Sequence, residues 1–420
     1  MFDIDTIMLY DEDMEISINP MHRVVVTGIG AITPYGIGVD LLRNGLLEGR
    51  SALKYNEVLK YVVGEVQGQD IKELYEKRLH REYSRSSMMA LTTANETLSN
   101  AKAIDLNHDE TMVNIGNCVP DVVYVGETAQ LVDSQQERKV SPYFVPRILN
   151  NLPAGYVAMK YKMRGGVEST STACATGLHC IGNSYRSIKH GYARRALAGG
   201  VECAVNPIAL AGFNRMRALA KGDDVSISRP FDKDRSGFVL SEGSGLLFLE
   251  RLDDAQARGA PILAEIVGYG TSSDCYHVST PDPTGIGAIL SMRRAIGEAS
   301  GVEEMDIGYV NAHATSTPNG DSVEAKAIRD VFPNQNIDVS SIKGHIGHLL
   351  GAAGSVETIA TIISMLDGVK PKNLNLKESE EDENLTILRD DKKWSEEKRI
   401  SMCNSFGFGA TNASLIVRRF

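Results

Sequence analysis

The sequence lacks the marks of a secreted, disulfide-linked or membrane-spanning chain. Its six cysteines are scattered without a CxxC pair, and no basic start with an apolar core precedes them, so we expect reduced thiols in a protein that is not secreted. No apolar run approaches the ~20 residues of a transmembrane helix, so membrane insertion is not expected. Basic residues are outnumbered, 44 Lys and Arg against 54 Asp and Glu. A nucleic-acid surface would normally reverse that balance, so nucleic acid is not an expected partner.

The amino-terminal segment MFDIDTIMLYDEDMEISINP is acidic and lacks the Arg-rich composition of a mitochondrial transit peptide. Met21 directly precedes the first convincing strand. Residues 1–22 are therefore interpreted as an N-terminal extension, whose first twenty residues are either upstream sequence or a mispredicted start. The acidic run ESEEDE, residues 378–383, is interpreted as a solvated loop without a function of its own.

Short apolar strands alternate with helical patterns along the chain, which favours α/β layers. HRVVVTGIGAITP, from His22, opens with a strand and a glycine-rich turn, and AEIVGYGTSSD, from Ala264, opens in a similar way. This similarity between the two segments predicts two related halves, residues 23–255 and 256–420.

Two common cofactor motifs are incomplete. TGIGAITP has Thr33 where a dinucleotide fingerprint has its third glycine, and Pro34 interrupts the expected helix, so a tight strand-to-loop turn is preferred. His345 and His348 stand three residues apart, but no further Cys or His follows at a zinc spacing. We expect neither a nucleotide cofactor nor a metal.

Cys174 is the candidate nucleophile. It lies among small residues in STSTACATGLHC, and Leu178, Ile181 and Tyr185 follow at helical spacing, which places the thiol at or just before a helix N-terminus. The helix dipole there favours a thiolate. Most cysteines are inert core residues, and that interpretation suits the cysteines at positions 180, 203 and 403.

Two histidines and a lysine are candidate partners for the thiol. His313 follows the strand GYV at the edge of a Ser/Thr/Pro/Gly loop, where side chains line clefts. Lys343 lies in a turn, and a helix is predicted to begin near His348, whose imidazole should then stay neutral and donate a hydrogen bond. A papain-like Cys/His hydrolase remains an alternative at this point, although it requires fewer groups.

Five motifs resemble, in the same order, the signatures of the β-ketoacyl-[acyl-carrier-protein] synthases of type II fatty-acid synthesis: TACATG at Cys174, RPFDKDRSGFVLSEGSG from Arg229, NAHATSTPNGD at His313, IKGHIGHLLGAAG from Ile342, and CNSFGFGATN from Cys403. The resemblance runs from about Arg23 to the C-terminus. It implies a thiolase-like, duplicated five-layer αβαβα fold, normally a homodimer, and a decarboxylative Claisen condensation that lengthens an acyl chain by two carbons.

The resemblance also implies a role for each matching residue. Cys174 would hold the acyl chain as a thioester, with the backbone N–H groups of Cys174 and Phe408 as oxyanion hole and Phe408 as gate. His313 and His348 would hydrogen-bond the thioester carbonyl of malonyl-carrier protein and stabilise the enolate left by decarboxylation. Lys343, oriented by Glu324, would tune the electrostatics around them.

The substrates would arrive on the phosphopantetheine arm of an acyl carrier protein, without a further cofactor. Thr315 and Thr317 match the pair that hydrogen-bonds pantetheine. The resemblance assigns carrier contacts to Arg138, Lys139 and Arg217, and a second basic cluster is formed by Arg78, Arg81 and Arg85.

Three features depart from the usual pattern or refine it. NCVPDVVYVGE, residues 117–127, replaces a glycine-rich segment that helps line the acyl pocket, which leaves the chain-length preference open. Ala410 replaces the second glycine of the GFGGTN loop and should restrict its movement. Ala314, in HATSTP, favours the mitochondrial branch and hence the matrix, with the cytoplasm as alternative.

Three rival functions share parts of this pattern. A polyketide ketosynthase would use the same residues with another partner. A chain-length-factor subunit would lack the nucleophile, so Cys174 argues against it. A biosynthetic thiolase would have a second catalytic cysteine near the C-terminus, but Cys403 lies in the synthase-type context SFGFGATN.

Overall fold

A computed structural model describes residues 21–379, 385–394 and 399–420. Nearly all of the N-terminal extension and most of the ESEEDE run lie outside the described residues. The strands before residue 255 are β1 Val24–Thr33, β2 Gly36–Ile37, β3 Lys54–Asn56, β4 Tyr61–Val63, β5 Thr111–Gly116, β6 Val167–Glu168, β7 Arg195–Glu202 and β8 Gly243–Arg251. Those after it are β9 Ala264–Ser273, β10 Tyr309–Asn311, β11 Ile337–Ser340, β12 Val369–Lys370, β13 Leu385–Ile387, β14 Lys392–Lys393, β15 Ile400–Gly407 and β16 Thr411–Arg419.

The helices alternate with these strands. In chain order they are α1 Val39–Leu47, α2 Arg85–Asn100, α3 Val122–Asp133, α4 Phe144–Ile148, α5 Leu152–Tyr161, α6 Thr176–Lys189, α7 Pro207–Arg215, α8 Leu252–Ala257, α9 Ile286–Glu298, α10 Pro318–Val331, α11 Lys343–Ile346 and α12 Ala353–Asp367. Short 3₁₀ turns, Ala173–Ala175 and Leu350–Ala352, directly precede α6 and α12.

The main sheet is built twice from the same plan. Outward from the centre, one half has the order β1-β8-β7-β5-β6 and the other β9-β16-β15-β10-β11, to which β13 adds a further edge strand. In each half the inner three strands are antiparallel and the outer strands parallel. The predicted duplication is confirmed, and the two strands whose sequences echo each other, β1 and β9, pair at the centre from Val24↔Ile266 to Val26↔Ala264. The predicted division between residues 255 and 256 falls within α8.

Helices fill three layers around the two half-sheets. α6 contacts β5 and β7 of one half and β16 of the other, and α12 likewise contacts both β8 and β15, so these two helices lie between the half-sheets. α2 and α5 cover the outer face of the first half, while α9 and α10 cover that of the second. The five layers of the thiolase-like fold are therefore present, and β1 is buried along its whole length because helices pack on both faces.

The strand β1 corrects one sequence-based interpretation. Gly28 and Gly30 do not form a strand-to-loop turn; both lie inside β1. A Cβ on Gly28 would lie 2.4 Å from the Thr97 carbonyl oxygen, so the glycine allows α2 to pack directly against the strand.

The two central helices approach each other closely because small residues meet at their N-terminal turns. A Cβ on Gly354 of α12 would lie 2.8 Å from the Leu178 Cβ of α6, and one on Gly177 would lie 2.9 Å from the Gly351 carbonyl oxygen. The segment Leu350–Asp367 is long and apolar enough to cross a membrane, but 89% of it is buried inside the protein. We therefore interpret its apolar composition as that of a core helix.

The helix contact predicts opposite effects for two Gly→Ala substitutions. Gly354→Ala should lower the free energy of unfolding by about 2 kcal/mol, because the added methyl group overlaps Leu178. Gly297→Ala, on an open face of α9, should raise it by about 0.5–1 kcal/mol through helix propensity alone. Urea midpoints measured side by side check both signs, and a stabilised Gly354→Ala variant would contradict the packing argument.

Candidate active site

Cys174 lies at the tip of a sharp turn between β6 and α6. Ala173 adopts a left-handed φ of 48°, and α6 begins two residues after the cysteine, which confirms the predicted place of the thiol just before a helix. The side chain is buried, and the Ser405 hydroxyl donates a hydrogen bond of 2.9 Å to the Cys174 carbonyl. The turn thus presents the sulfur from a rigid backbone.

The two histidines lie in loops of the second half, close to the thiol. His348 Nε2 lies 3.0 Å from Cys174 Sγ, and the centroid of the His313 ring lies 5.4 Å from that of His348, nearly perpendicular to it. His313 follows β10, as predicted. His348 bridges to Leu240 and lies two residues before the predicted helical segment, which begins with the 3₁₀ turn Leu350–Ala352 and continues as α12.

Burial controls the charge states of these groups. It raises the pKa of the Cys174 thiol to about 12, against the opposing effects of Lys343 and of the Phe408 N–H. The predicted thiolate is therefore wrong, because desolvation, the largest effect on this thiol, favours the protonated form over the thiolate that a helix dipole favours. Burial, followed by the positive Lys343, lowers the pKa of His313 and His348 far below the ordinary value. Both imidazoles are neutral, as predicted for His348, though burial rather than a helix start is the cause.

Lys343 is oriented by a different carboxylate from the one predicted. Its Nζ pairs with Glu357 on α12, and both side chains are almost completely buried. Glu324 instead accepts the backbone N–H groups of His313 at 2.9 Å and Ala314 at 2.7 Å. Glu324 therefore holds the histidine loop, because its position on α10 faces that loop rather than the lysine.

These groups surround a cavity of about 390 Å³. Cys174, His313, His348 and Phe408 line it together with both threonines of the predicted pantetheine pair, Thr315 and Thr317. The two threonine hydroxyls lie 3.1 Å apart, and Asp321 accepts the N–H groups of Ser316 and Thr317 at 3.2 Å each. The loop is thereby held open toward the cavity.

The predicted carrier-binding residues are separated by the structure. Arg217 lines the cavity, whereas Arg138 and Lys139 lie on an exposed turn, Glu137–Lys139, outside it. In the second basic cluster, Arg85 forms a salt bridge of 2.7 Å with the buried Glu242, and Arg78 pairs with Glu76 at 2.6 Å. Much of that cluster's charge is therefore neutralised within the protein.

The loop that carries Phe408 is tied to a second loop that the sequence did not indicate. The Gly409 N–H donates a hydrogen bond of 2.7 Å to the Val278 carbonyl. The Asp274 N–H donates one of 3.2 Å to the Ala410 carbonyl. Ala410 itself adopts a left-handed φ of 61°, despite its methyl group. The turn-rich segment SSDCYHVSTPDP was the available signal for this second loop.

The half-buried thiol of Cys118 forms another wall of the cavity, and the buried carboxyl group of Glu202 lies behind it. Cys118 lines it beside Cys174, and Glu202 accepts the backbone N–H of Cys118 at 3.4 Å and that of Gly351 at 3.2 Å. Burial raises the pKa of Glu202 to about 7. Residues 117–127 are atypical in sequence, but no sequence motif indicated that the Glu202 carboxyl anchors them.

His345 and His348 do not converge on one point. His348 faces Cys174, whereas His345 is fully buried away from the cavity-lining residues. Within residues 21–379, 385–394 and 399–420, no group of three His, Cys, Asp or Glu side chains is arranged to hold a metal ion.

Two family models match the chain. The model described as "Beta-ketoacyl synthase, N-terminal domain" matches residues 21–255, and "Beta-ketoacyl synthase, C-terminal domain" matches residues 263–377. The two matches cover most of the chain and include all of the cavity-lining groups named above except those of the Phe408 loop.

Known relatives are similar over nearly their whole length. The mitochondrial 3-oxoacyl-[acyl-carrier-protein] synthase of Arabidopsis thaliana is 40% identical, over 94% of this chain and 93% of its own. The 3-oxoacyl-[acyl-carrier-protein] synthase 2 of Vibrio cholerae is 39% identical, over 95% and 99%. A solved structure, "AntDE:AntF (apo): type II PKS acyl-carrier protein in complex with its ketosynthase bound to the hexaketide", is 26% identical with a TM-score of 0.85, over 95% and 100%.

The buried His345 predicts a pH-dependent difference in stability. Burial lowers the pKa of His345 to about 3, below the ~6.5 of a histidine in an unfolded chain. As the pH falls below 6.5, the unfolded state therefore binds a proton at this residue while the folded state does not, and the folded state loses stability. His345→Met should remove this effect. Between pH 7.5 and pH 5, the free energy of unfolding of the variant minus that of the parent protein should therefore increase by about 2 kcal/mol.

Urea unfolding of both proteins at several pH values measures the difference. The buried Glu202 and Glu324, whose raised pKa values act in the opposite direction, are present in both proteins and cancel. His190→Met, at the exposed end of α6, is the matched control. A constant difference between pH 7.5 and 5 would contradict the prediction.

Proposed function

The chain belongs to the β-ketoacyl synthase family and is a 3-oxoacyl-[acyl-carrier-protein] synthase that elongates fatty acids, and we propose that Cys174, His313 and His348 carry out its condensation. One observation carries this assignment: a buried thiol lies 3.0 Å from a neutral imidazole, with a second neutral imidazole beside it. A nucleophile and two hydrogen-bond donors thus face one cavity.

In the first half-reaction, the Cys174 sulfur attacks the thioester carbonyl of the acyl-carrier protein. The carbon–sulfur bond to the carrier breaks, and the thiol proton ends on the departing carrier thiol. The backbone N–H groups of Cys174 and Phe408 stabilise the tetrahedral oxyanion, and the tight turn at Ala173 supports their preorganisation. Because the resting thiol is protonated, the substrate must bind before the sulfur becomes a strong nucleophile.

In the second half-reaction, malonyl-carrier protein enters the acylated site. Its carboxylate leaves as carbon dioxide, and the electron pair of the broken carbon–carbon bond forms an enolate. His313 and His348 donate hydrogen bonds to the enolate oxygen, for which neutral imidazoles with N–H groups suffice. The enolate carbon attacks the acyl-cysteine, Cys174 leaves, and a 3-oxoacyl-carrier product two carbons longer results.

Lys343 acts on this site electrostatically. Its ammonium group lowers the pKa of both histidines and opposes the burial effect on Cys174. The pairing with Glu357 holds the charge in place, and neither partner lines the cavity. We assign Glu324 to positioning the His313 loop rather than to orienting the lysine.

The partner is an acyl carrier protein, whose phosphopantetheine carries the substrates, and no other cofactor is required. Thr315 and Thr317 at the cavity wall are suited to hydrogen-bond the pantetheine. Exposed Arg217, Arg138 and Lys139 supply positive charge for an acidic carrier. The acyl-carrier-protein complex of the similar ketosynthase structure supports the same class of partner.

The protein is proposed to act as a homodimer. Among the strands of the described residues, β6 pairs with β5 alone, and Val167 is 46% exposed at the sheet edge. Val145 on α4 and Leu149, which directly follows it, are also exposed. An open edge beside apolar side chains is suited to pairing with a second copy.

The mitochondrial matrix is the proposed compartment, with the cytoplasm as alternative. The similarity to a mitochondrial relative and Ala314 in HATSTP support the matrix, whereas the similarity to a bacterial synthase is compatible with either. The similar polyketide ketosynthase structure keeps a polyketide role as the second candidate, and the identity of the elongated carrier product distinguishes the two.

Substitutions should separate the two half-reactions. Cys174→Ala should abolish both the acyl adduct and condensation, whereas His313→Ala should still form the adduct but decarboxylate malonyl-carrier protein about 100- to 1,000-fold more slowly. Intact mass with peptide mapping locates the adduct, and carbon dioxide release measures the second step. An adduct elsewhere than Cys174, or normal decarboxylation by His313→Ala, would contradict the assignment.

Cys118 should limit the length of the acyl chain. The Cys118 side chain forms part of the cavity wall beside the nucleophile. Glu202 holds the Cys118 backbone by a hydrogen bond, so the backbone cannot easily shift to enlarge the cavity. Cys118→Gly should accept one or two more methylene groups, each worth ~0.8 kcal/mol or about fourfold in kcat/KM. Cys118→Ser, of similar size, is the control. Identical profiles from C6 to C16 acyl carriers for all three proteins would contradict the prediction.

A further inference from the structure

The backbone turn before the nucleophile is held by side chains from the helix that follows it. Thr172 directly precedes the left-handed Ala173. Its N–H donates to the Thr176 hydroxyl at 2.8 Å, and its own hydroxyl lies 2.8 Å from Nδ1 of His179. Every polar group of Thr172 is therefore engaged, since its carbonyl accepts the Ala175 N–H at 3.1 Å.

Thr172 also connects this turn to the loop that carries Phe408. The Thr411 hydroxyl donates to the Thr172 carbonyl at 3.2 Å. A Cβ on Gly407 would lie 2.7 Å from the same carbonyl oxygen, so the two segments are in direct contact. Thr172 is therefore in contact with both segments that carry the candidate oxyanion donors, the N–H groups of Cys174 and Phe408.

His179 is well placed to prevent such movement. It lies on α6, where its half-buried ring packs edge-on to Tyr269 with centroids 6.3 Å apart. A left-handed conformation is unfavourable for alanine, so the turn at Ala173 persists only if the surrounding bonds determine it. Two side chains of α6 tie the residue before Ala173 to the helix: Thr176 accepts the Thr172 N–H, and His179, one turn further along, contacts the Thr172 hydroxyl.

We propose that His179 is a positioning residue for Cys174, which fixes the Ala173 turn through its hydrogen bond to the Thr172 hydroxyl. The inference rests on the proposed role of Cys174 as nucleophile. His179 does not line the cavity and touches no substrate, so it acts through the backbone alone. Neither the sequence motifs nor the predicted site residues had assigned it a role.

Three variants of His179 test which ring atom matters. An Asn side chain places a polar atom near the position of Nδ1, whereas a Gln side chain reaches the position of Nε2. We expect His179→Ala and His179→Gln to slow Cys174 acylation by acyl-carrier protein about fivefold, and His179→Asn to restore most of the rate. The KM for malonyl-carrier protein should be unchanged in all three.

Alkylation of Cys174 by iodoacetamide across pH gives a readout that a merely structural role would not move. His179→Ala should lower the alkylation rate constant per folded molecule and shift its pH profile, whereas His190→Ala, at the exposed end of the same helix, should behave as the parent protein. Equal profiles for His179→Ala and His190→Ala would overturn the inference.

A double-mutant cycle identifies the partner. Thr172→Val removes the hydroxyl at nearly constant shape, so it should slow acylation as much as His179→Ala, and the double variant should be no slower than either one. Additive effects, or equal rescue by Asn and Gln, would overturn the proposal. If the parent protein forms no adduct on Cys174, the proposed function itself fails, and this outcome is distinct from an adduct that forms normally in every His179 variant.

Discussion

The close crossing of α6 and α12 is the constraint on which the site depends. The two helices occupy equivalent places in the duplicated fold, and small residues let them meet at their N-terminal turns. Cys174 lies in the turn before α6, and His348 lies in the loop before α12. The crossing therefore brings a thiol and an imidazole from opposite halves of the chain within 3.0 Å.

Burial at this crossing determines the chemistry. Removed from water, the thiol stays protonated and the histidines stay neutral, while the single positive charge of Lys343 is compensated by Glu357. A site of this kind holds little charge before the substrate arrives. It is therefore suited to stabilise negative charge that develops during the reaction, on the tetrahedral oxyanion and on the enolate.

The site is preorganised by a backbone that is locally unfavourable. Ala173, Leu350 and Ala410 line the cavity with left-handed φ values of 48°, 45° and 61°. Neighbouring bonds hold two of these turns, the bonds to Thr172 beside Ala173 and the Asp274 N–H bond to the Ala410 carbonyl. Free energy from the packed core keeps these turns in place, so the reacting groups need little rearrangement.

Strand and helix periodicity and the ordered motifs are local properties, so they predicted the duplicated α/β fold and singled out Cys174, His313 and His348, which the structure brings to one cavity. They did not reveal that Lys343 pairs with Glu357 or that Gly28 lies within a strand, since these depend on packing between distant segments. The protonation state of Cys174 was decided only by the tertiary structure. A helix dipole can be predicted from the sequence, whereas the depth of burial that outweighs it arises when the two halves close around the thiol.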